Sequence, residues 1–295
     1  VEDGPLGGGA LEAGGRGCQR VVGRRCLALG GTASGQRTRR RAAAAAGAQV
    51  AKHGNRSVSS SSGSSDVLET LGVNLDVSPE QIAACVQEVG LGFMFAPAHH
   101  GAMKHAVGPR RELGLRTLFN VLGPLTNPAG VKRQVLGVYD AALCEPLAEV
   151  LARLGSEHAL VIHSDDGLDE ISIAAPTRGF ELRAGEISPI EIDPAALGLA
   201  HTSLDGLQVE TAADSANLIR GALAGGDDAV SIRARGIIAL NAGAGIYVSG
   251  VVDSLASGVA AAEQAMASGA AAQKLEVFVA FTQALVSEQG GAFAS

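Results

Sequence analysis

The chain has 295 residues, room for one large domain or two ordinary ones. Hydrophobic residues make up 46%, but aromatics are only 3% with no Trp, so the core must be built mostly from Ala, Val, Leu and Ile. A formal net charge of −7 argues against a general nucleic-acid binder, and no uninterrupted apolar run approaches the roughly 18 residues of a membrane span.

Residues 1–46 are rich in Gly, Arg and Ala without a clear apolar period, and taken alone they read as disordered or weakly structured. Eight arginines fall in the first 41 positions, from Arg16 to Arg41. VEDGPLGGGALEAGG lacks the basic start and apolar stretch of a secretory signal, and Glu2, Asp3 and Glu12 disfavour an organelle transit peptide. Cys18, Cys26, Cys85 and Cys144 form no CxxC pair, which points to reduced thiols and a cytoplasmic location. From Ala42 the character changes: AAAAAGAQVAKHG reads as a helix end, a Gly stop and a short strand. SPEQIAACVQEVG (78–90) predicts a helix, with Ser78 as cap, Pro79 at the first helical position and Gly90 as stop. QVLGVYD (134–140) predicts a strand, CEPLAEVLARLG (144–155) an amphipathic helix, and HALVIHSDD (158–166) a strand running into an acidic loop. Segments 210–226 and 256–288 read as helical. The alternation predicts an α/β class with a central sheet flanked by helices.

Three segments could carry chemistry. KHGNRSVSSSSGSS (52–65) places Gly54, Gly63 and seven serines beside Lys52, His53 and Arg56. Glycines let backbone N–H groups approach an anion, serine hydroxyls wrap it, and the helix expected from DVLETLG would aim partial positive charge at it. A flexible Ser/Gly linker is the bland alternative, and the flanking KHGN and DVLE disfavour it. HSDDGLDEIS (163–172) offers Asp165, Asp166, Asp169 and Glu170 after a buried strand. Adjacent Asp169 and Glu170 suit Mg²⁺, which takes oxygen ligands and keeps waters or phosphate oxygens, although a solvated acidic turn has the same composition. In GPRRELGLRTLFNVLGPLTNPAG (108–130), Arg110 and Arg111 begin a short helical stretch, and Arg110 could pair with a carboxylate. Gly123, Pro124, Pro128 and Gly130 should shape a rigid turn. His99, His100 and His105 have no metal-motif spacing, and the glycines of NAGAGIYVSG (241–250) suggest close helix packing.

Taken together and in this order, these segments resemble the anthranilate phosphoribosyltransferases over about 250 residues. The resemblance implies transfer of phosphoribose from 5-phosphoribosyl-1-pyrophosphate (PRPP) to the amine of anthranilate in tryptophan biosynthesis, with Mg²⁺ as cofactor. By the match to KHGN and the Ser/Gly loop, Lys52, His53, Gly54, Asn55, Arg56, Ser57, Val58, Ser59, Ser60 and Ser64 inherit PRPP binding. Asn55, Arg110 and His100 inherit contacts to anthranilate, and Asp169 and Glu170 the metal. No acid–base residue is implied, because an arylamine is neutral at pH 7. The resemblance divides the chain into an atypical segment 1–46, an α/β domain of 47–91 and 129–295, and a helical segment 92–128 that belongs to a small, incomplete α-helical domain. Members are usually homodimers through that small domain. A pyrimidine nucleoside phosphorylase-like enzyme shares the fold and is the alternative, as is a catalytically defective remnant.

The likeness stops upstream. Counting back from KHGN, the family's pyrophosphate loop GTGGD should fall near 24–28 and its NxST segment near 34–37, and neither is there. GGTAS (30–34) is displaced and lacks the Asp, so no role is carried over to it. The Gly/Arg/Ala bias resembles a high-GC coding region read out of frame that rejoins the family near Ala42, which an intact upstream gene sequence would exclude.

Overall fold

The computed structural model describes residues 26–30, 42–54, 64–95 and 118–291. A helical turn at 42–45 ends at Gly47, whose φ of +95° is a left-handed conformation that an L side chain resists. The chain then enters β2 (Gln49–Gly54), the strand that carries the KHG tripeptide. A short helix α1 (Ser64–Thr70) follows the serine-rich loop. Next comes α2 (Pro79–Val89), closed at its N-terminus by a full capping box. There Ser78 Oγ accepts from the Gln81 N–H at 3.3 Å, and Gln81 Oε1 accepts from the Ser78 N–H at 2.8 Å. Gly90, at φ +79°, turns the chain into β3 (Leu91–Phe95). This strand carries the sheet four residues into the segment assigned to the helical part.

Helix α3 (Leu118–Leu125) leads to β4 (Arg133–Gly137), and a 3₁₀ turn at Ala141–Leu143 opens α4 (Cys144–Arg153). Strand β5 (His158–Ser164) is followed by the hairpin β6 (Thr177–Arg183) and β7 (Glu186–Ile192). Four helices complete the chain: α5 (Ala212–Leu223), α6 (Ala229–Ser249), α7 (Leu255–Ala267) and α8 (Ala270–Gly291).

The strands form one sheet in the order β3-β2-β1-β4-β5-β6-β7, where β1 is Cys26–Gly30. The first five are parallel, and β6 and β7 extend the sheet antiparallel. Side chains alternate between the faces with period 2. Val135, Leu160 and Ile162 pack into the main core with α6, while Leu136, Ala159 and Val161 pack with Leu147, Ala148 and Leu151 of α4. Near β2 and β3, Ala51 and Met94 meet Ile82, Ala83 and Val86 of α2. Covering both faces is what a parallel sheet requires.

Four sequence expectations need correction. Residues 26–30 form the middle strand of the parallel part of the sheet although the stretch around them reads as weakly structured. Four apolar residues are too short to show a period, but the slot between β2 and β4 needs a ladder partner on both sides. The helical region 256–288 is two helices, broken where Gly269 takes a φ of +76°. Gly123 and Pro124 lie in the last turn of α3 rather than in the turn beyond it. Finally, α6 extends far upstream of NAGAGIYVSG. It shows no amphipathic stripe because 15 of its 21 residues are buried. The expected close packing is present: a Cβ on Gly243 would stand 2.5 Å from the Val259 nitrogen in α7, and one on Gly258 would stand 2.2 Å from Gly243 O. Among the described residues, no helix is long and apolar enough to cross a membrane.

Candidate functional site

In a doubly wound sheet, ligands bind beyond the carboxyl ends of the strands where the strand order reverses. Here β1 leads to β2 and β3 on one side, and β4 leads to β5 on the other, so the reversal lies between β1 and β4. The register places Gly54 of β2 and Gly137 of β4 on one row. They are two strand spacings, roughly 10 Å, apart. Both chemistry-bearing segments leave the sheet at this edge.

On the β2 side, Lys52 is only 5% exposed. His53 follows with its Nε2 shielded from water. Gly54 ends the strand against α1: a Cβ there would stand 2.9 Å from Ser64 Oγ and 3.2 Å from the Phe93 ring. A side chain at 54 would push Ser64 away, so the glycine brings the strand end and the helix start together. Asn55, Arg56, Ser57, Val58, Ser59 and Ser60 lie outside the described residues, as do His100 and Arg110. The end of the 108–130 segment is nonetheless tied to this strand, since Asn127 Nδ2 donates to the carbonyl of Ala51, beside Lys52, at 3.2 Å. Gln134 Nε2 likewise donates to Pro124 O at 3.1 Å.

On the β5 side, the acidic loop splits into two parts. Asp165 and Asp166 are exposed, as a solvated turn would have them. Asp165 pairs with Arg178, and Asp166 accepts from Ser172 Oγ at 2.5 Å. Asp169 and Glu170 are buried instead, at 8% and 1% exposure. Burying two adjacent carboxylates is costly unless cationic or hydrogen-bonding partners stabilise them. An all-oxygen pair of this kind fits a hard cation such as Mg²⁺ that completes its shell with water and phosphate oxygens. Among the described residues, no group of three or more His, Cys, Asp or Glu side chains could hold a metal by itself. Two carboxylates supply only part of a Mg²⁺ shell, which leaves positions for water or phosphate oxygens.

Sequence reasoning overlooked two residues at this edge. Gly137 leaves no room for a side chain, because a Cβ there would stand 1.7 Å from Asp169 O. Asn241 of α6 accepts from the Ile171 N–H at 2.9 Å and donates to Ile171 O at 2.7 Å. Gly137 lies within the predicted strand 134–140 and Asn241 opens NAGAGIYVSG, where only the glycines drew notice; the available signal was an Asn within an otherwise apolar segment.

The ionisable groups at the opposite edge hold one another. His158 Nε2 stands 2.7 Å from Glu181 Oε1, and Tyr247 OH donates to that oxygen at 2.6 Å. Arg183 donates to Tyr247 OH at 2.9 Å, while Arg133 caps the end of α6 through Val248 O at 2.9 Å. His158, Tyr247, Arg183 and Arg133 line a cavity of about 310 Å³. Burial lowers the His158 pKa despite Glu181, and burial, then Glu181, raises that of Tyr247. Two buried thiols are no better candidates for chemistry: burial pushes Cys85 up to about 12 and Cys144 up to about 11, so neither is a thiolate at neutral pH.

Residues 38–272 match the family model described as "Glycosyl transferase family, a/b domain". The anthranilate phosphoribosyltransferase of Teredinibacter turnerae is 60% identical over 239 residues, which cover 81% of this chain and 70% of the relative. That of Saccharophagus degradans is 61% identical over the same length and coverage. Among solved structures, the Thermus thermophilus anthranilate phosphoribosyltransferase superposes with a TM-score of 0.80 at 39% identity, covering 88% of this chain and 79% of that one. The Saccharomyces cerevisiae enzyme in complex with PRPP and Mg gives 0.75 at 25% identity, covering 88% and 74%. By fold and sequence, the chain belongs to the anthranilate phosphoribosyltransferase family.

Proposed function

We propose that this chain transfers phosphoribose from PRPP to the amine of anthranilate, giving N-(5-phosphoribosyl)anthranilate and pyrophosphate. The observation that carries the reading is the 60% identity to a named anthranilate phosphoribosyltransferase across 239 residues. The nucleoside phosphorylase alternative finds no support among the named relatives.

In this reading Lys52, His53, Gly54 and Ser64, with Asn55, Arg56, Ser57, Val58, Ser59 and Ser60, hold PRPP by charge and N–H donation. Asp169 and Glu170 hold Mg²⁺, which when bound supplies positive charge to the leaving pyrophosphate. Buried Lys52 adds to that stabilisation as the C1–O bond breaks. Arg110 pairs with the anthranilate carboxylate, and Asn55 and His100 orient the ring, so the neutral amine meets C1 without a base. Catalysis is then mostly positioning and leaving-group electrostatics. The reading extends to a cytoplasmic enzyme and to a homodimer through the small domain. Because no GTGGD loop occupies 24–28, part of the pyrophosphate cradle is altered. Each charge-assisted hydrogen bond lost there costs about 1.5–3 kcal/mol.

Loss of anthranilate fluorescence on adding PRPP and Mg²⁺ tests the reading directly. A folded chain that consumes no anthranilate would sink it as an enzyme, and thymidine phosphorolysis would point to the phosphorylase. Arg110→Ala should raise the KM for anthranilate far more than that for PRPP, and equal effects would remove Arg110 from its role.

A further inference from the structure

The loop that carries Asp169 and Glu170 belongs to no strand, yet its continuation runs through the core. Ile171 and Ile173 are fully buried. Backbone N–H and C=O groups in such a segment must find partners. For Ile171, one side chain supplies both. Asn241, 1% exposed on α6, accepts from the Ile171 N–H at 2.9 Å and donates to Ile171 O at 2.7 Å. The same amide nitrogen also donates to Ile237 O at 2.9 Å, which fixes its own rotamer. A planar amide that satisfies both groups of one residue holds that residue's backbone as a neighbouring strand would.

Ile171 is bonded directly to Glu170, so this clamp sets the direction in which the buried carboxylate leaves the chain. The neighbours hold the rest of the loop. Asp169 O lies against Gly137, and Ser172 N–H donates to Thr177 Oγ1 at 3.1 Å. The helix that carries the clamp is packed closely on α7, where Gly243 meets Val259. Placing an orienting group on a rigid element is what a cation site needs, because ligand direction controls affinity.

We propose that Asn241 is a positioning residue for the divalent-cation site, holding the Ile171 backbone in the orientation that presents Asp169 and Glu170 to the cation. The inference rests on the reading of those two carboxylates as the Mg²⁺ pair. Removing such an outer partner lowers metal affinity by about 10–100-fold.

The test titrates the full chain with Mn²⁺ in the presence of PRPP and the absence of anthranilate, following water-proton relaxation, which reads cation binding without turnover. Asn241→Asp keeps the volume and the acceptor but loses the donors, and Asn241→Ser leaves room for water to pair the freed backbone. Glu170→Gln is the control. The expected result is a Mn²⁺ midpoint raised about 10–100-fold in Asn241→Asp and Asn241→Ser, with cooperative unfolding retained in at least one, and a transfer rate that recovers at high Mg²⁺. If Glu170→Gln weakens Mn²⁺ binding while a folded Asn241 variant binds like the parent, the positioning role is overturned and the metal reading survives. If Glu170→Gln changes nothing, or the parent binds no Mn²⁺, the metal reading falls and takes the inference with it. Failure of both Asn241 variants to fold would make Asn241 a folding residue and overturn the proposal as stated.

Discussion

The two ends of β5 show two ways of managing buried polar groups. At its start, His158, Glu181, Tyr247 and Arg183 satisfy one another side chain to side chain, and the cluster ties β5 and β6 to α6. At its far end, the main chain of the acidic loop is gripped as well: Asn241 and Thr177 bond to main-chain groups, and Gly137 makes room. The first arrangement closes a network within the protein. The second fixes the path of the main chain beside Asp169 and Glu170, which suits their proposed role as cation ligands. Mutations at the two ends should therefore separate stability from cation use.

The sharpest separation should come from Gly137→Ala. With the Asp169 carbonyl 1.7 Å from the new Cβ, either β4 or the loop must move. The expected cost is about 1–3 kcal/mol, together with a raised Mg²⁺ requirement for transfer. Melting and Mg²⁺ titration measured side by side check this, and a loss of stability with unchanged Mg²⁺ dependence would erase the contrast between the two ends. Tyr247→Phe should act the other way. It removes the 2.6 Å hydrogen bond to Glu181 and costs about 1–2 kcal/mol. Mg²⁺ dependence and both KM values should stay as they are, so altered cation use in this variant would break the comparison.

A smaller effect is expected from pH. Burial, helped by Arg183 and Arg133, lowers the His158 pKa below its ordinary 6.5 even though Glu181 pulls it up. Between the two values the unfolded chain binds a proton that the folded chain does not, so stability rises with pH there. The contribution is complete above about pH 6.5 and is lost as pH falls through the folded value. Denaturant midpoints across this range should be flatter in His158→Gln, and superimposable profiles would show that His158 burial carries no such cost. The smallest effect should come from Ser78→Ala, far along the chain from both ends. It removes the cap on α2 and costs about 1 kcal/mol, with no change in cation dependence.

Local chemistry was the most readable part of the chain. The cap at Ser78, the stop at Gly90, the turn at Gly47 and the helix after the serine-rich loop depend on a few adjacent residues and appear where expected. The carboxylate pair was readable too, because GLDE is contiguous, although only its burial separates Asp169 and Glu170 from solvated Asp165 and Asp166. The hairpin β6–β7 went unread: β7 is largely exposed and carries Pro189, so it shows neither a buried run nor a clean alternation.

By itself, then, the sequence determined the family and the α/β class, and it marked the segments proposed to bind phosphate and metal, since each is written in neighbouring residues. Tertiary structure decided the rest. It drew Cys26–Gly30 into the middle of the parallel part of the sheet, because two parallel strands required a partner between them. It also brought Asn241 to Ile171 across 70 positions of chain, because a buried backbone without a strand partner must be satisfied from elsewhere. No local pattern encodes either event, and the second fixes the main chain next to the buried carboxylates.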